Sequence, residues 1–181
     1  MSQKLTSSEM GRMNVTQYRE ADKLPLVVVL DNVRSQHNVG AVFRTADAMR
    51  IERVVLCGIC SCPPNAEIHK TALGAEESVE WSYYQETLDA VRALQAEGYT
   101  VYAVEQAHDS VTLEEAAEQG CPKTAIVLGH EVFGVQQEVV DNCTQCIEIP
   151  QYGTKHSMNV SVTAGIVMYR LACSLRLATK K

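Results

Sequence analysis

The feature that most constrains the fold is a set of short, uniformly apolar runs. The first, LPLVVVLDNV (24–33), is rich in valine, and similar runs occupy 52–58, 99–106, 124–131 and 146–150. A strand with one solvent-exposed face alternates apolar and polar residues, whereas a strand buried on both faces is apolar throughout. The runs therefore predict an α/β fold with a mostly parallel sheet flanked by helices.

Amphipathic segments fall between these runs. Helices are predicted at 39–50, 86–98, 134–143 and 158–178, and a short arm or helix at 8–21. The polar stretch 59–77, with its Pro63–Pro64 break, is predicted to be a long loop. The 181 residues suit one domain of ordinary size. We therefore expect a short N-terminal arm or helix over 1–23 and a single domain over 24–181.

The apolar runs are too short for a membrane-spanning helix, which needs roughly 18 residues or more. The first 25 residues also lack the apolar core of a secretory signal. We therefore expect a cytoplasmic protein without a membrane partner. With 46% hydrophobic and 21% charged residues, the composition excludes a disordered chain.

Charge is unevenly distributed along the chain. The formal net charge is −6, which argues against strong sequence-independent binding of nucleic acid. Eleven acids lie within 76–120 beside a single base, Arg92, whereas the remainder carries 11 acids and 15 bases. A surface facing RNA would require the acidic segment to point away from it. The alternative is that this segment is simply a solvated acidic helix face.

Seven cysteines cannot all pair within one chain, and free thiols are expected in a reducing compartment. Cys57, Cys60 and Cys62 lie close together, and Cys143 and Cys146 form a C-x-x-C pair. Four thiolates would suit a structural zinc. Because Cys57 and Cys146 fall in predicted strands, buried cysteine acting as a small hydrophobe is the commoner case, and no metal is expected.

Three polar, glycine-bearing segments follow predicted strands. They are DNVRSQHNVGAVFR (31–44), LGHEVFG (128–134) and IPQYGTKHSMN (149–159). Ligands of open parallel sheets bind beyond the carboxyl ends of the strands, so the three segments are expected to build one site. The sequence holds no dinucleotide fingerprint, no P-loop lysine after Gly134 and no hydrolase nucleophile elbow.

Individual side chains in these segments allow two interpretations each. Asn38 would cap helix 39–50, with Arg44 on its exposed face as a phosphate or ribose ligand or as an ordinary surface arginine. Glu131 either accepts hydrogen bonds from a ligand or caps the next element. Ser157 and Asn159 either bind substrate near a helix N-terminus, or Ser157 caps that helix.

Taken together, the three segments resemble the motifs of the SpoU/TrmH branch of the SPOUT superfamily of RNA methyltransferases. Asn38, Gly40 and Arg44 match a first motif of the form N-x-G-x-x-x-R, and LGHEVFG matches a second, L-G-x-E-x-x-G. The third and most specific match is IPQYGTKHSMNVSVTAG (149–165). The resemblance spans roughly residues 24–178, with His130 and Met158 departing from the family's usual residues.

The resemblance implies an α/β fold with a C-terminal trefoil knot and a homodimer packed through that knot. It also implies S-adenosylmethionine as the cofactor, no metal, and methyl transfer to a ribose 2′-hydroxyl of tRNA or rRNA. The cofactor-binding residues that it implies are Val104, Glu105, Leu128, Gly129, Ile149, Ser157 and Met158. The implied catalytic group is Asn38, Arg44, Glu131, Ser157 and Asn159.

Within that group Arg44 is expected to anchor the substrate and stabilise charge, because a guanidinium group stays protonated in proteins. The identity of the general base stays open. Glu131 is expected to hold Arg44 or Asn38 in place, while Ser157 and Asn159 orient the ribose or the cofactor. Two alternatives are base methylation by another SPOUT branch and an RNA-binding module without catalysis, and the matching motif residues argue against both.

Overall fold

The computed structural model describes residues 2–6 and 8–178, with side chains as far as residue 176. Within those residues, seven strands form one sheet in the order β3-β2-β1-β6-β4-β7-β5, and every pairing is parallel. The α/β class is therefore confirmed. The strands are β1 (Leu24–Asp31), β2 (Ile51–Cys57), β3 (Glu80–Tyr84), β4 (Thr100–Val104), β5 (Val111–Thr112), β6 (Thr124–Leu128) and β7 (Gln145–Glu148).

Helices cover both faces of this sheet. Within the described part of the chain they are α1 (Val15–Glu20), α2 (Gln36–Met49), α3 (Ala66–Ala72), α4 (Ala75–Ser78), α5 (Thr87–Ala96), α6 (Leu113–Gln119), α7 (Gln137–Asn142) and α8 (Val160–Ala178). Residues of α2, α3, α6 and α8 share one apolar core, and residues of α5 and α7 share the other. The sheet is thus the middle layer of three.

The first strand shows why its sequence has no polar position. Leu26, Val28 and Leu30 belong to the core on the α2 and α8 side, whereas Val27 and Val29 belong to the core on the α5 side. All five side chains are fully buried. Successive residues of a strand face opposite sides of the sheet, so a central strand between two helix layers must be apolar throughout.

The prediction of a long loop over 59–77 is wrong in its second half, where α3 and α4 form. Asn65 caps α3, because its side-chain oxygen accepts hydrogen bonds from the N–H groups of Glu67 and Ile68. Ile68 and Ala72 are buried in the core beside α2. A cap and tertiary packing therefore hold a helix that is too short to show a clear apolar stripe.

The five predicted strands all form, with ends shifted by a few residues, but β3, β5 and α6 are additional. Strand β3 lies at an edge of the sheet with Trp81 and Tyr83 partly exposed, so it lacks a continuous apolar run. Strand β5 is only two residues long. Helix α6 begins with a capping box between Thr112 and Glu115. That Thr-x-x-Glu spacing is the sequence signal that identifies α6.

The last helix, α8, packs against α2, α6 and β1. Strand order does not define how a chain is threaded, so the C-terminal trefoil knot stays a prediction.

The N-terminal arm forms α1 over a shorter range than 8–21, and its Tyr18 is buried in the core. Among the described residues, none of the helices has the length and apolarity that crossing a membrane requires.

Candidate active site

A cleft with a volume of about 1240 Å³ opens at the carboxyl ends of β4, β6 and β7. Its walls come from the segments that follow these strands, within 104–109, 128–135 and 143–151, and from 156–160 ahead of α8. Two of the three segments expected to build a site therefore line one cleft. The third, 31–44, joins it through hydrogen bonds, as predicted for loops at the same end of a parallel sheet.

Every residue that the sequence assigns to cofactor binding lines this cleft. Val104, Leu128 and Ile149 supply apolar side chains, and Glu105 supplies a carboxylate. The complete set is Val104, Glu105, Leu128, Gly129, Ile149, Ser157 and Met158. The structure thus brings together residues that lie as far apart in the chain as β4 and the start of α8.

Gly129 lies where two backbone segments approach closely. A Cβ atom at this position would be 2.0 Å from the carbonyl carbon of Gly134 and 2.1 Å from the nitrogen of Val135. His130 and Gly134 exchange backbone hydrogen bonds of 3.0 and 2.9 Å, which close a tight turn. We call residues 129–135 the cleft hairpin. Its closure depends on the missing side chain of Gly129.

Glu105 accepts a hydrogen bond from the C-terminal end of the cleft hairpin. Its Oε2 accepts a hydrogen bond from the Val135 N–H at 3.1 Å, and its Oε1 accepts one from the Gln106 N–H at 3.0 Å. Gly134 has φ +69°, and a Cβ atom there would be 2.2 Å from Oε2 of Glu105. Backbone conformation and space both require glycine at this position.

Asp31, at the end of β1, is a fully buried carboxylate that the sequence analysis did not single out. Its Oδ2 accepts from the Gln136 N–H at 2.8 Å. Its Oδ1 accepts from the Gln136 side chain at 2.8 Å, the Thr87 hydroxyl at 2.6 Å and the Asn32 side chain at 2.9 Å. Asp31 thereby ties the chain that leaves the cleft hairpin to the central strand, and its position at a strand end is the only sequence signal for that role.

Glu131, inside the cleft hairpin, reaches the N-terminus of α2. Its carboxylate accepts hydrogen bonds from the N–H groups of Arg34 at 3.1 Å and Ser35 at 2.9 Å. It also accepts one from Nδ2 of Asn38 at 2.9 Å. A carboxylate is well placed there, because a helix N-terminus carries unpaired N–H groups and partial positive charge.

The pKa of Glu131 is below its usual value. Partial burial raises the pKa, but the hydrogen bonds from the Ser35 N–H, the Asn38 side chain and the Arg34 N–H outweigh that effect and lower it. These donors favour the charged form of the carboxylate. Glu131 is therefore ionised at neutral pH and acts as an acceptor only.

Asn38 does not cap its helix as predicted. Helix α2 begins earlier, at Gln36, and Ser35 is the N-cap, whose hydroxyl accepts from the Asn38 N–H at 3.3 Å. The Asn38 side chain instead donates to Glu131 and accepts from Nδ2 of Asn159 at 3.2 Å. The first turn of α2 is thereby connected to both of the other motif segments.

Asn159, and not Ser157, caps the last helix. Its Oδ1 accepts hydrogen bonds from the N–H groups of Ser161 at 2.9 Å and Val162 at 3.4 Å. Ser157 is exposed, lines the cleft and has no hydrogen bond to any residue that the structure describes. Its hydroxyl is therefore available to a ligand, whereas Asn159 is held by α8 and Asn38.

Arg44 stands apart from this network. It is exposed on α2, less than two turns beyond Asn38, and its side chain makes no hydrogen bond or ion pair within the described part of the chain. The structure thus joins Asn38, Glu131 and Asn159 but does not bring Arg44 to them. Of the two partners expected for Glu131, Asn38 is the one it holds.

The acidic segment 76–120 does not lie wholly away from the site. Glu105 and Asp109 line the cleft, although other acids of the segment are exposed on α6. The exposed bases Arg34 and Arg44 lie just before and within α2, and the Arg34 N–H bonds to Glu131 of the cleft hairpin. These bases could contribute to a surface that faces RNA.

The cysteines behave as small apolar side chains. Cys57 lies in β2 and Cys146 in β7, both in the α5-side core, whereas Cys60 belongs to the core on the other face. Burial raises the pKa of Cys57 to about 12 and that of Cys60 to about 11. Both thiols therefore stay protonated at neutral pH, unlike the thiolates that bind zinc.

A parallel sheet with a glycine-dependent hairpin and a polar network at its carboxyl end defines the class of protein. It is an α/β domain whose ligand cleft lies beyond the strand ends. The chain belongs to the SpoU rRNA Methylase family, whose model matches residues 25–169. The resemblance to the SpoU/TrmH branch of the SPOUT superfamily is confirmed.

Curated relatives carry activities on ribosomal RNA. The 23S rRNA (guanosine-2′-O-)-methyltransferase RlmB of Neisseria meningitidis is 33% identical over 145 residues, which is 80% of this chain and 56% of that protein. RlmB of Vibrio parahaemolyticus is 36% identical over 158 residues, which is 86% of this chain and 62% of that protein. The chain thus spans about three-fifths of the length of these relatives.

Solved structures share the fold. The A. aeolicus TrmH/SpoU tRNA modifying enzyme has a TM-score of 0.80 and 26% identity, over 91% of this chain and 84% of that chain. The AdoMet-bound rRNA methyltransferase from Sinorhizobium meliloti has a TM-score of 0.78 and 25% identity, over 87% of this chain and 60% of that chain.

Proposed function

We propose that this protein is an S-adenosylmethionine-dependent RNA methyltransferase that transfers a methyl group to a ribose 2′-hydroxyl of tRNA or rRNA. Membership of the SpoU family supports this activity. The observation that carries it is the meeting of the three motif segments at one cleft edge, where Asn38 bonds to both Glu131 and Asn159.

The cleft fits S-adenosylmethionine in size and chemistry. Apolar side chains of Val104, Leu128 and Ile149 suit an adenine ring, and the Glu105 carboxylate keeps lone pairs that suit ribose hydroxyls. The absence of a side chain at Gly129 lets the cleft hairpin close, and this closed turn forms one wall of the cleft. When bound, this cofactor supplies a methyl group that its sulfonium already activates.

The chain's own residues then orient the acceptor. We assign Arg44 as the anchor of an RNA phosphate or ribose oxygen, because its guanidinium is exposed on α2, less than two turns beyond Asn38, and suits an oxyanion. Ser157 and Asn159 orient the ribose or the cofactor. Glu131 positions Asn38, and alignment of the reacting groups supplies much of the rate.

We also propose a homodimer that packs through the C-terminal knot region. Val162, Ile166 and Tyr169 of α8 are 53%, 39% and 60% exposed. Their spacing puts them on one face of the helix, so a second copy would remove this apolar surface from water. The catalytic unit is then the single domain 24–181, with arm 1–23 beside it, acting on RNA in the cytoplasm.

Calorimetric titration with S-adenosylhomocysteine tests the cofactor assignment without knowledge of the RNA. We expect saturable binding with an affinity in the micromolar range, on the order of 8 kcal/mol. The substitution Met158→Trp should weaken it, because the added bulk would occupy the cleft. A folded protein that binds no S-adenosylhomocysteine, alone or with RNA present, would contradict the proposal.

The acceptor atom is tested by methylating total RNA from cells that lack this chain and digesting it to nucleosides. We expect 2′-O-methylnucleosides, whereas base-methylated nucleosides would establish the other SPOUT chemistry. Arg44→Ala should lower turnover at least tenfold, as expected when a phosphate anchor is lost. Arg92→Ala, which removes an exposed arginine from the opposite face of the sheet, is the matched control and should keep full turnover.

A further inference from the structure

We propose that the ring of Phe133, with His130 beside it, is a stacking platform for an unpaired nucleobase of the RNA, next to the nucleotide that is methylated. This inference rests on the proposed function and extends it to the way in which the substrate is held. Phe133 is 84% exposed, although it belongs to the cleft hairpin and lines the cleft.

The exposure of Phe133 is built into a fixed turn. His130 and Gly134 close the hairpin with two backbone hydrogen bonds. Nδ1 of His130 also accepts from the N–H groups of Val132 at 3.0 Å and Phe133 at 3.4 Å. The backbone that carries the ring is therefore held at four points, and it presents an apolar ring to water instead of turning it inward.

The imidazole of His130 supports the ring. The two ring centroids are 4.9 Å apart, with planes inclined at 32°. Aromatic pairs prefer such offset or tilted arrangements. One side of Phe133 thus rests on His130 while most of its surface stays open, which is the geometry of a stacking site with room for one more ring.

The platform lies beside the catalytic network and the bases. Glu131, between His130 and Phe133 in sequence, accepts from the backbone N–H of Arg34. The Arg34 side chain is exposed and has no hydrogen bond or ion pair within the described residues. An aromatic ring flanked by an available guanidinium offers a face for a base and a charge for a phosphate, as proteins that bind single-stranded RNA do.

The size of the patch favours a nucleobase over a second protein surface. Its exposed apolar residues are Val132 and Phe133, which directly follow the polar residues His130 and Glu131 in the hairpin. Stable protein interfaces bury on the order of 1,200 Å² or more and have a larger apolar centre. One base, by contrast, needs one ring face.

Steady-state kinetics of Phe133→Ala test the platform with total RNA from cells that lack this chain as the acceptor. We expect the KM for RNA to rise about tenfold, as loss of one base stack predicts. Affinity for S-adenosylhomocysteine should be unchanged, and Phe133→Trp should retain the wild-type KM. Val15→Ala, which shortens an exposed apolar side chain on α1 outside the cleft, is the control and should change the KM less than twofold.

The outcomes separate this inference from the proposed function. If the wild type methylates no RNA, the proposed function fails. If it does and Phe133→Ala keeps the wild-type KM, the platform alone is overturned. Loss of S-adenosylhomocysteine affinity would instead make the ring a cover of the cofactor, and conversion to a monomer in light scattering would make it a subunit contact.

A fluorescence experiment gives a second readout that a merely structural role would not move. In the double variant Trp81→Phe/Phe133→Trp, the new indole is the only tryptophan. Stacking on a base should quench its emission when the same RNA is added, and polyphosphate, which has no bases, should not. Equal quenching by both would contradict stacking.

Discussion

At the residue scale, backbone N–H groups hold the acids of the site. Asp31 accepts from the N–H of Gln136, Glu105 from that of Val135, and Glu131 from that of Arg34. Each carboxylate connects two segments that are distant in sequence. Hydrogen bonds to a charged acceptor are stronger than bonds between neutral groups. We therefore assign these acids to holding the loops in place and not to a direct part in the chemical step.

Gly129→Ala should disable the cofactor cleft. The added Cβ would lie 2.0 Å from backbone atoms of Gly134, which cannot move aside as a flexible side chain can. We expect affinity for S-adenosylhomocysteine to fall by roughly tenfold or more in calorimetry. Gly153→Ala is the matched control, because a Cβ there meets nothing within 4 Å. Equal affinities for both variants would show that the hairpin closure is dispensable.

Asp31→Asn should destabilise the fold. An amide cannot accept from all four donors around Asp31, and its NH₂ group would face another N–H. We expect the free energy of unfolding to fall by about 2 kcal/mol in urea denaturation. Asp89→Asn, at an exposed position on α5, should change it by less than about 0.5 kcal/mol. A stable Asp31→Asn protein would argue that water replaces these bonds.

At the element scale, the start of α2 connects the motif segments of the site. We call the contacts among Ser35, Asn38, Glu131 and Asn159 the joint. The N–H group of the α2 N-cap, Ser35, and the Asn38 side chain donate to Glu131, and Asn38 also bonds to Asn159 ahead of α8. Two helices and the cleft hairpin are therefore linked through Asn38 and the Glu131 carboxylate. Loss of its charge should loosen this joint without disturbing either apolar core.

The joint should depend on pH in a defined direction. The folded pKa of Glu131 lies below the unfolded value of 4.5. Its contribution to stability is therefore complete above about pH 4.5 and is lost as pH falls through the folded pKa. Urea denaturation of wild type and Glu131→Gln should differ at pH 7, and the difference should shrink as pH falls below 4.5.

The control for this pH series is Glu118→Gln, which neutralises an exposed acid on α6 far from the joint. Its stability should parallel that of the wild type at every pH. A Glu131→Gln protein whose deficit does not shrink as pH falls below 4.5 would show that the shape of the side chain, and not its charge, stabilises the joint.

At the scale of the whole molecule, the sheet gathers residues that the chain separates. Hydrogen bonds join Asp31 to Gln136 and Asn38 to Asn159, across 105 and 121 positions. Parallel strands place all their carboxyl ends at one edge, which is why such distant loops meet. The exposed apolar residues of α8 lie outside both cores, and it is there that we propose a second copy packs.

Ile166→Glu should therefore separate the proposed dimer. A charge in an apolar subunit contact costs far more than one in water. Light scattering should show a wild-type mass of about twice 19.9 kDa and a variant near the single-chain value. Val15→Glu is the control, since Val15 is also 39% exposed but lies on α1. If both variants keep the double mass, α8 does not form the contact.

The sequence by itself determined the class of fold and the membership of the site. A strand buried on both faces must be apolar throughout, so the run 24–33 predicts a central parallel strand without knowledge of its partners. The residues that line the cleft were instead indicated by the resemblance of three segments to SpoU/TrmH motifs. Local physics was enough for the strand because its burial pattern lies within one continuous segment.

Tertiary structure alone decided which side chains touch. Asn38 and Ser157 each begin a plausible helix by sequence, yet Ser35 and Asn159 are the caps. Helices α3 and α4 also form where a loop was expected, because contacts with α2 stabilise them. A cap, a short helix and a hydrogen bond across 121 positions depend on neighbours that only the folded sheet provides, so no local pattern encodes them.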